Sequence, residues 1–278
     1  MTAADQVTGA LPHRRAVDAD LLDVLALERI EEDIFRGGLV FEEEGASLYG
    51  GQVAAQALRA AGLTVDQERI PHSLHGYFLR GGDTTIPTVF TVFRDRDGRS
   101  FSARRVVAVQ RGEVIFNMAT SFHRPEASPT TQADEMPQVP SPEGLRPFGF
   151  TRAFSIEGRV PDRPYPSAPW PTRFWARSTV RLPDDPLLHA CALTYISDAS
   201  SGVLPSADGT AAAGSSIDHA VYFHEPADMN TWLLLDYHAR RTGGGRGWYT
   251  ASVFRPDGVL VGSVAQEALY RTRRHATG

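Results

Sequence analysis

Two stretches of this chain read alike: a helix signal closed by glycine, then four segments rich in β-branched and aromatic residues. The first helix signal is LYGGQVAAQALRAAGLTV, with Gly50 and Gly51 in front, Ala54, Ala55, Ala57, Ala60 and Ala61 inside, and Gly62 at its end. Small side chains of this kind suit a helix pressed closely onto a sheet. HSLHGYFLR, PTVFTVFRDRDG, SFSARRVVAVQRG and EVIFNMATSFHR follow, with turns at Gly98 and Gly112, and predict an antiparallel meander. The second helix signal begins with Asp185 as cap and Pro186 at the first helical position, runs through LLHACALTYISDASS and stops at Gly202. SIDHAVYFHEP, TWLLLDYHARR, RGWYTASVFRPDG and VLVGSVAQEALYR then repeat the four-strand pattern. Aligning Gly62 on Gly202, His75 on His219 and Gly112 on Gly258 needs extra residues only in loops, so two copies of one architecture are expected.

The remaining segments frame this repeat. Residues 18–36 carry Leu21, Val24, Leu25, Ile30 and Ile34 at helical spacing, with Asp18 or Asp20 as cap and Gly37 and Gly38 as stop, and predict an amphipathic helix. Residues 126–171 are rich in Pro, Ser and Gly and predict a linker mostly without regular structure. The expected units are therefore 16–125 and 172–274, joined by that linker. With 278 residues, 42% of them apolar, the chain buries a sizeable core without staples. A net charge of −5, with basic residues spread along the chain, gives no case for nucleic acid or a membrane surface as partner. The single Cys191 excludes an internal disulfide and a thiolate metal cluster, and the start MTAADQVTGALPHRR lacks the apolar core of a secretory signal. The expectation is a cytoplasmic protein with a small-molecule ligand and no metal.

In the stretch SSIDHAVYFHEPAD, Ser216, Asp218 and His219 stand within four positions. Strand alternation sets Ser216 and His219 on opposite faces, about 10 Å apart at the usual rise, which is too far for proton transfer. The row is not a triad. Asp198 is the stronger candidate, because a helix starting at Pro186 sets it on one stripe with Leu187, Cys191, Thr194 and Tyr195. On the repeat alignment Asp198 falls on Leu58, Ser216 on His72 and Gln266 on Thr120. The second copy alone thus holds a carboxylate, a hydroxyl and an amide, although plain hydrogen bonding in the core accounts for Gln266 almost as well.

At these residues the sequence resembles the acyl-CoA thioesterase II family, the double hot-dog thioesterases. The likeness rests on LYGGQVAAQAL, HSLHGYFLRGGD, DGRSFSARRVVAVQRGEVIFNMATSFHRP, YISD, SIDHAVYFHEP and DGVLVGSVAQEALYR. It implies an α+β fold of two fused hot-dog units, each a long helix wrapped by an antiparallel sheet, and hydrolysis of the acyl-CoA thioester without a cofactor. It also implies a catalytic set at Asp198, Ser216 and Gln266; many members carry Thr where this chain has Ser216.

On that basis the three side chains are expected to hold one water, with Asp198 as general base. The amides of Gly51 or Gln52 are oxyanion candidates, and Gly50 permits close approach of the substrate. Arg104, Arg105, Arg240, Arg241 and Arg246 are candidates for the CoA phosphates. Leu58, Phe78, Phe116, Tyr222 and Trp232 are candidates for an acyl tunnel, and exposed sheet edges suggest a homo-oligomer, dimer or tetramer. Two other readings stay open at this point: a hydratase in which His219 or His189 works with Asp198, and an acyl-CoA binder without catalysis.

Overall fold

The computed structural model of the chain describes residues 19–39, 47–150 and 153–272. Its first half runs α1 (Leu21–Leu25), β1 (Leu27–Glu31), β2 (Ile34–Gly37), α2 (Gly50–Gly62), β3 (Ile70–Phe78), β4 (Val89–Asp97), β5 (Phe101–Gln110) and β6 (Glu113–His123). The second half runs β7 (Pro147–Phe148), β8 (Ile156–Arg159), β9 (Arg173–Ser178), α3 (Pro186–Ser197), β10 (Ala211–Ser216), β11 (Asp218–Phe223), β12 (Leu233–Gly243), β13 (Arg246–Phe254) and β14 (Leu260–Thr272). All strands join one antiparallel sheet in the order β1-β2-β4-β5-β6-β3-β11-β14-β13-β12-β9-β8-β7, with β10 added against β14. Read inward from either end, the two halves follow the same path and meet where β3 pairs with β11.

The helices lie side by side and antiparallel inside this sheet, and glycine makes the contact possible. A Cβ at Gly51 would lie 2.3 Å from the Tyr195 carbonyl oxygen, and one at Gly62 would lie 2.4 Å from Leu187 Cδ2. The N-terminus of α2 therefore touches the C-terminus of α3, and the reverse holds at the other end. Ala54, Ala55, Ala57, Ala60 and Ala61 are fully buried, so the alanine run serves helix–helix as well as helix–sheet packing.

The expected helix over residues 18–36 is wrong beyond Leu25. Asp20 caps α1 in a reciprocal pair with Asp23, but the chain then turns into the β1–β2 hairpin. Phe35 pairs with Phe90 of β4 and is 1% exposed, so burial on the sheet overrides helical spacing. Asp18, residues 16 and 17 of the first expected unit and residues 273–274 of the second lie outside the described residues. The segment expected as linker contributes β7 and β8, and β8 extends the second half's sheet through β9.

The repeat alignment also shifts. His75 is exposed, whereas His219 is fully buried, so the two do not correspond. Tyr77 and Tyr222 both face outward at about half exposure, which matches Leu74 with His219 instead. α2 runs through its glycine signal and closes on Leu63, whereas α3 stops short of Gly202 and closes on Asp198, so Asp198 corresponds to Leu63 and not to Leu58.

Candidate active site

Asp198 is the residue that ends α3, not a member of its apolar stripe. Its segment is fixed from both sides. The Tyr237 hydroxyl donates to the Ser197 carbonyl at 2.7 Å, the Tyr249 hydroxyl to the Ser200 carbonyl at 3.3 Å, and Ser200 Oγ to the Pro171 carbonyl at 2.6 Å. Burial, reinforced by the negative charge of Asp198, pushes both tyrosine hydroxyls well above their ordinary range, so they remain donors.

Ser216 arrives on β10 and Gln266 on β14. The register between these strands slips between Ala213 and Ser216, and Ile217 stands outside both β10 and β11. This break cancels the alternation expected across residues 216–219: Ser216 and His219 both reach Gln266. The Ser216 hydroxyl donates to Asp198 Oδ1 at 3.1 Å. Gln266 Nε2 donates to the same Oδ1 at 2.8 Å and to Ser216 Oγ at 2.6 Å. Asp198, Ser216 and Gln266 are therefore brought together, while Asp218 faces away, accepting from the Glu267 amide at 2.6 Å and contacting His75 Nε2 at 2.9 Å.

Asp198 Oδ2, which makes no hydrogen bond to a described residue, faces the front of α2. A Cβ on Gly50 would lie 2.6 Å from Oδ2 and 3.0 Å from the Phe78 ring, so only glycine leaves room there. Gly50, Asp198 and Ser216 line a cavity of about 520 Å³. Its apolar wall includes Phe78, Ile115 and Phe116, together with Phe148, Phe150 and Trp170 from the segment between the halves. Arg80 stands at its edge.

Comparison with known proteins decides the family. Residues 41–123 match the acyl-CoA thioesterase N-terminal domain and residues 117–270 the acyl-CoA thioesterase C-terminal domain. The chain belongs to the acyl-CoA thioesterase II family. It is 33% identical to human acyl-coenzyme A thioesterase 8 over 90% of this chain and 88% of that one. Acyl-CoA thioesterase 2 of Haemophilus influenzae is 32% identical, over 91% of this chain and 97% of its own length. The solved structure of acyl-CoA thioesterase II TesB2 from Mycobacterium marinum aligns with a TM-score of 0.76 at 39% identity, covering 93% of this chain and 99% of that one. A hot-dog protein from Alicyclobacillus acidocaldarius, 21% identical with a TM-score of 0.73 over 91% of this chain and 98% of that one, shares the fold. This double hot-dog enzyme thus hydrolyses the thioester of acyl-CoA.

Several expected contacts of the thioesterase lie elsewhere. Arg104 is 2% exposed and spends its guanidinium on Thr64, Asp97 and the Arg96 and Ala103 carbonyls, so it is unavailable to phosphates. Arg105 is exposed but held by both Asp95 oxygens over the Phe93 ring. Arg240 donates to Thr250 and Arg246 to Glu267, and neither they nor Arg241 line the cavity. Neither Gly51 nor Gln52 is a cavity wall; the Gln52 amide donates to the Tyr49 carbonyl at 3.1 Å, whereas the Gly51 amide, next to the wall residue Gly50, makes no hydrogen bond to a described residue. Of the tunnel candidates, Phe78 and Phe116 line the cavity; Leu58, Tyr222 and Trp232 do not. His219 touches Gln266 and Ser197, and His189 Nδ1 accepts from the Met229 amide, so neither of these two histidines pairs with Asp198 in the hydratase manner.

The aromatic cavity wall escaped the sequence reading because it comes from the segment taken as linker; the pair in PFGF and the isolated Trp170 were its signals. Arg80 stood in the quoted FLRGGD but carried no distinguishing neighbour.

Proposed function

We propose that the thioester is hydrolysed by direct attack of a water held at Asp198 Oδ2, with Ser216 and Gln266 orienting the carboxylate through Oδ1. What supports this reading is one observation: the three side chains are mutually hydrogen-bonded through Asp198 Oδ1, leaving Oδ2 turned to the cavity beside Gly50. Asp198 Oδ2 takes a proton from the water as its oxygen bonds to the thioester carbon. The carbonyl becomes an oxyanion, and the Gly51 amide at the positive end of α2 donates to it. When the intermediate collapses, the carbon–sulfur bond breaks and Asp198 returns the proton to the CoA sulfur. Ser216 and Gln266 keep Oδ1 occupied, so the carboxylate acts through one oxygen.

Among the described cavity residues, Arg80 is the one cation; it pairs with Glu113 at 3.0 Å and donates to the Val114 carbonyl, and its place on the cavity makes it the candidate for a CoA phosphate in place of Arg104 and Arg105. The exposed Phe93, Phe101, Tyr222 and Trp248 on the strands support a homo-oligomer, to be measured by sedimentation. The test of the chemistry is thiol release from saturated acyl-CoA. Asp198→Asn is expected to lose about 10²-fold in turnover with an unchanged melting temperature. Wild-type turnover in that variant removes Asp198 from the mechanism.

A further inference from the structure

The amide of Gln266 faces two ways, and its orientation is fixed by chemistry. A carboxylate only accepts hydrogen bonds, so the Gln266 atom 2.8 Å from Asp198 Oδ1 must be the NH2 group. The opposite atom, the carbonyl Oε1, is then turned to His219 Nδ1, with which it makes a short contact. A carbonyl oxygen also only accepts, so Nδ1 must carry a proton. The other ring nitrogen permits this: Ser197 Oγ lies 2.8 Å from Nε2 and 3.0 Å from the Thr194 carbonyl, and its one proton goes to one or the other. A neutral ring with Nδ1–H receives the Ser197 hydroxyl at Nε2, and a doubly protonated ring donates to Ser197, which then donates to Thr194. Both forms keep Nδ1–H. The remaining form, protonated at Nε2 alone, sets a nitrogen lone pair against the Gln266 carbonyl and is excluded.

We propose that His219 is a positioning residue for the hydrolysis. Its Nδ1–H clamps the Gln266 carbonyl, so the amide cannot turn over and present oxygen to Asp198 and Ser216. His219 is fully buried and is not a cavity wall, so it acts through Gln266 and not on the substrate. The first half supplies the contrast. There, Leu74 occupies the corresponding site opposite Thr120, both buried, and the Thr120 hydroxyl is spent on the Ser73 carbonyl, so the first half builds this position without a histidine–glutamine pair. The anchoring chain is continuous: Tyr237 holds the Ser197 carbonyl, Ser197 holds the His219 ring, and His219 holds Gln266.

This inference rests on the proposed roles of Asp198 and Gln266, and the test separates the two. Selective nitrogen-15 labelling of the nine histidines, with His219 assigned by its loss in His219→Asn, reads the ring directly in the wild-type enzyme. The expected signal is a protonated Nδ1; an unprotonated Nδ1 overturns the clamp whatever the kinetics show. In thiol-release assays, His219→Leu is expected to lower kcat by about 10-fold to 100-fold with KM within twofold. His219→Asn sets a side-chain N–H near the Nδ1 position and is expected to recover most of that loss. Wild-type kcat in His219→Leu, while Asp198→Asn is inactive, overturns the proposal and leaves the base intact. Equal losses in the Leu and Asn variants also overturn it, because a merely structural histidine gives that result.

Discussion

The two ends of the α2–α3 pair are built on the same plan and have opposite contents. At one end the N-terminus of α2 meets the C-terminus of α3 across a cavity of about 520 Å³; at the other, the front of α3 borders a hollow of about 40 Å³. Gly50 opens the first, and Pro186 with Ala190 lines the second. The helix that ends at the cavity closes on Asp198, while its counterpart closes on Leu63. Across the neighbouring strands, His219, Gln266 and Tyr249 stand where the first half has Leu74, Thr120 and Arg104. Arg104 fills the quiet end, donating to Thr64 just past α2. The comparison teaches that equivalent buried positions of the duplicated scaffold accept different side chains, and that at these positions the carboxylate, hydroxyl and amide meet in one copy while the other is closed by a buried guanidinium.

The largest effect is expected from breaking the quiet end. Arg104→Met removes a buried guanidinium with five hydrogen bonds and should cost about 3 kcal/mol of stability, read by chemical denaturation. Turnover of the folded fraction should stay at the wild-type value. Next comes the transplant of first-half chemistry into the live end: His219→Leu with Gln266→Thr should keep the fold and lower kcat by about 10²-fold in thiol-release assays.

Smaller effects come from the helix fronts. Gly50→Ala sets a methyl against Asp198 Oδ2 and Phe78 and should reduce kcat/KM about tenfold, whereas Pro186→Gly should leave it unchanged and lower stability by about 1 kcal/mol. The smallest concerns acid. Burial alone would raise the Asp236 carboxyl, but bonds from His238 and Arg173 outweigh it and hold it below its ordinary value. Its contribution is complete above the unfolded value of about 4 and is lost as pH falls through the lower folded value. Thr91, paired with Ile34, occupies the corresponding position in the first half. Asp236→Asn should therefore flatten the acid limb of stability against pH, and Thr91→Val should not.

Much of this was legible in the sequence. The doubled helix-and-strands pattern carries the architecture, and YISD, SIDH and AQEAL carry the three residues that meet. What was not legible depends on contacts between distant segments. The break at Ile217, which turns Ser216 and His219 toward one amide, follows from how β10 and β11 share β14. The end of α3 at Ser197 is set by two tyrosine hydroxyls from β12 and β13, with no glycine at that point. Residues 27–37 have helical spacing but find an edge strand to pair with, and sequence periodicity does not register that neighbour. The aromatic wall from Phe148 to Trp170 lies in a segment whose composition signals only irregular backbone.

Hydrolysis of acyl-CoA by a single turnover of enzyme in oxygen-18 water, followed by mass spectrometry of both the released acid and the Asp198 peptide, tests direct water attack. Heavy oxygen in the acid and none in Asp198 is the result this geometry predicts. Heavy oxygen in the Asp198 carboxyl would mean that the side chain itself attacks the thioester, and would contradict the account.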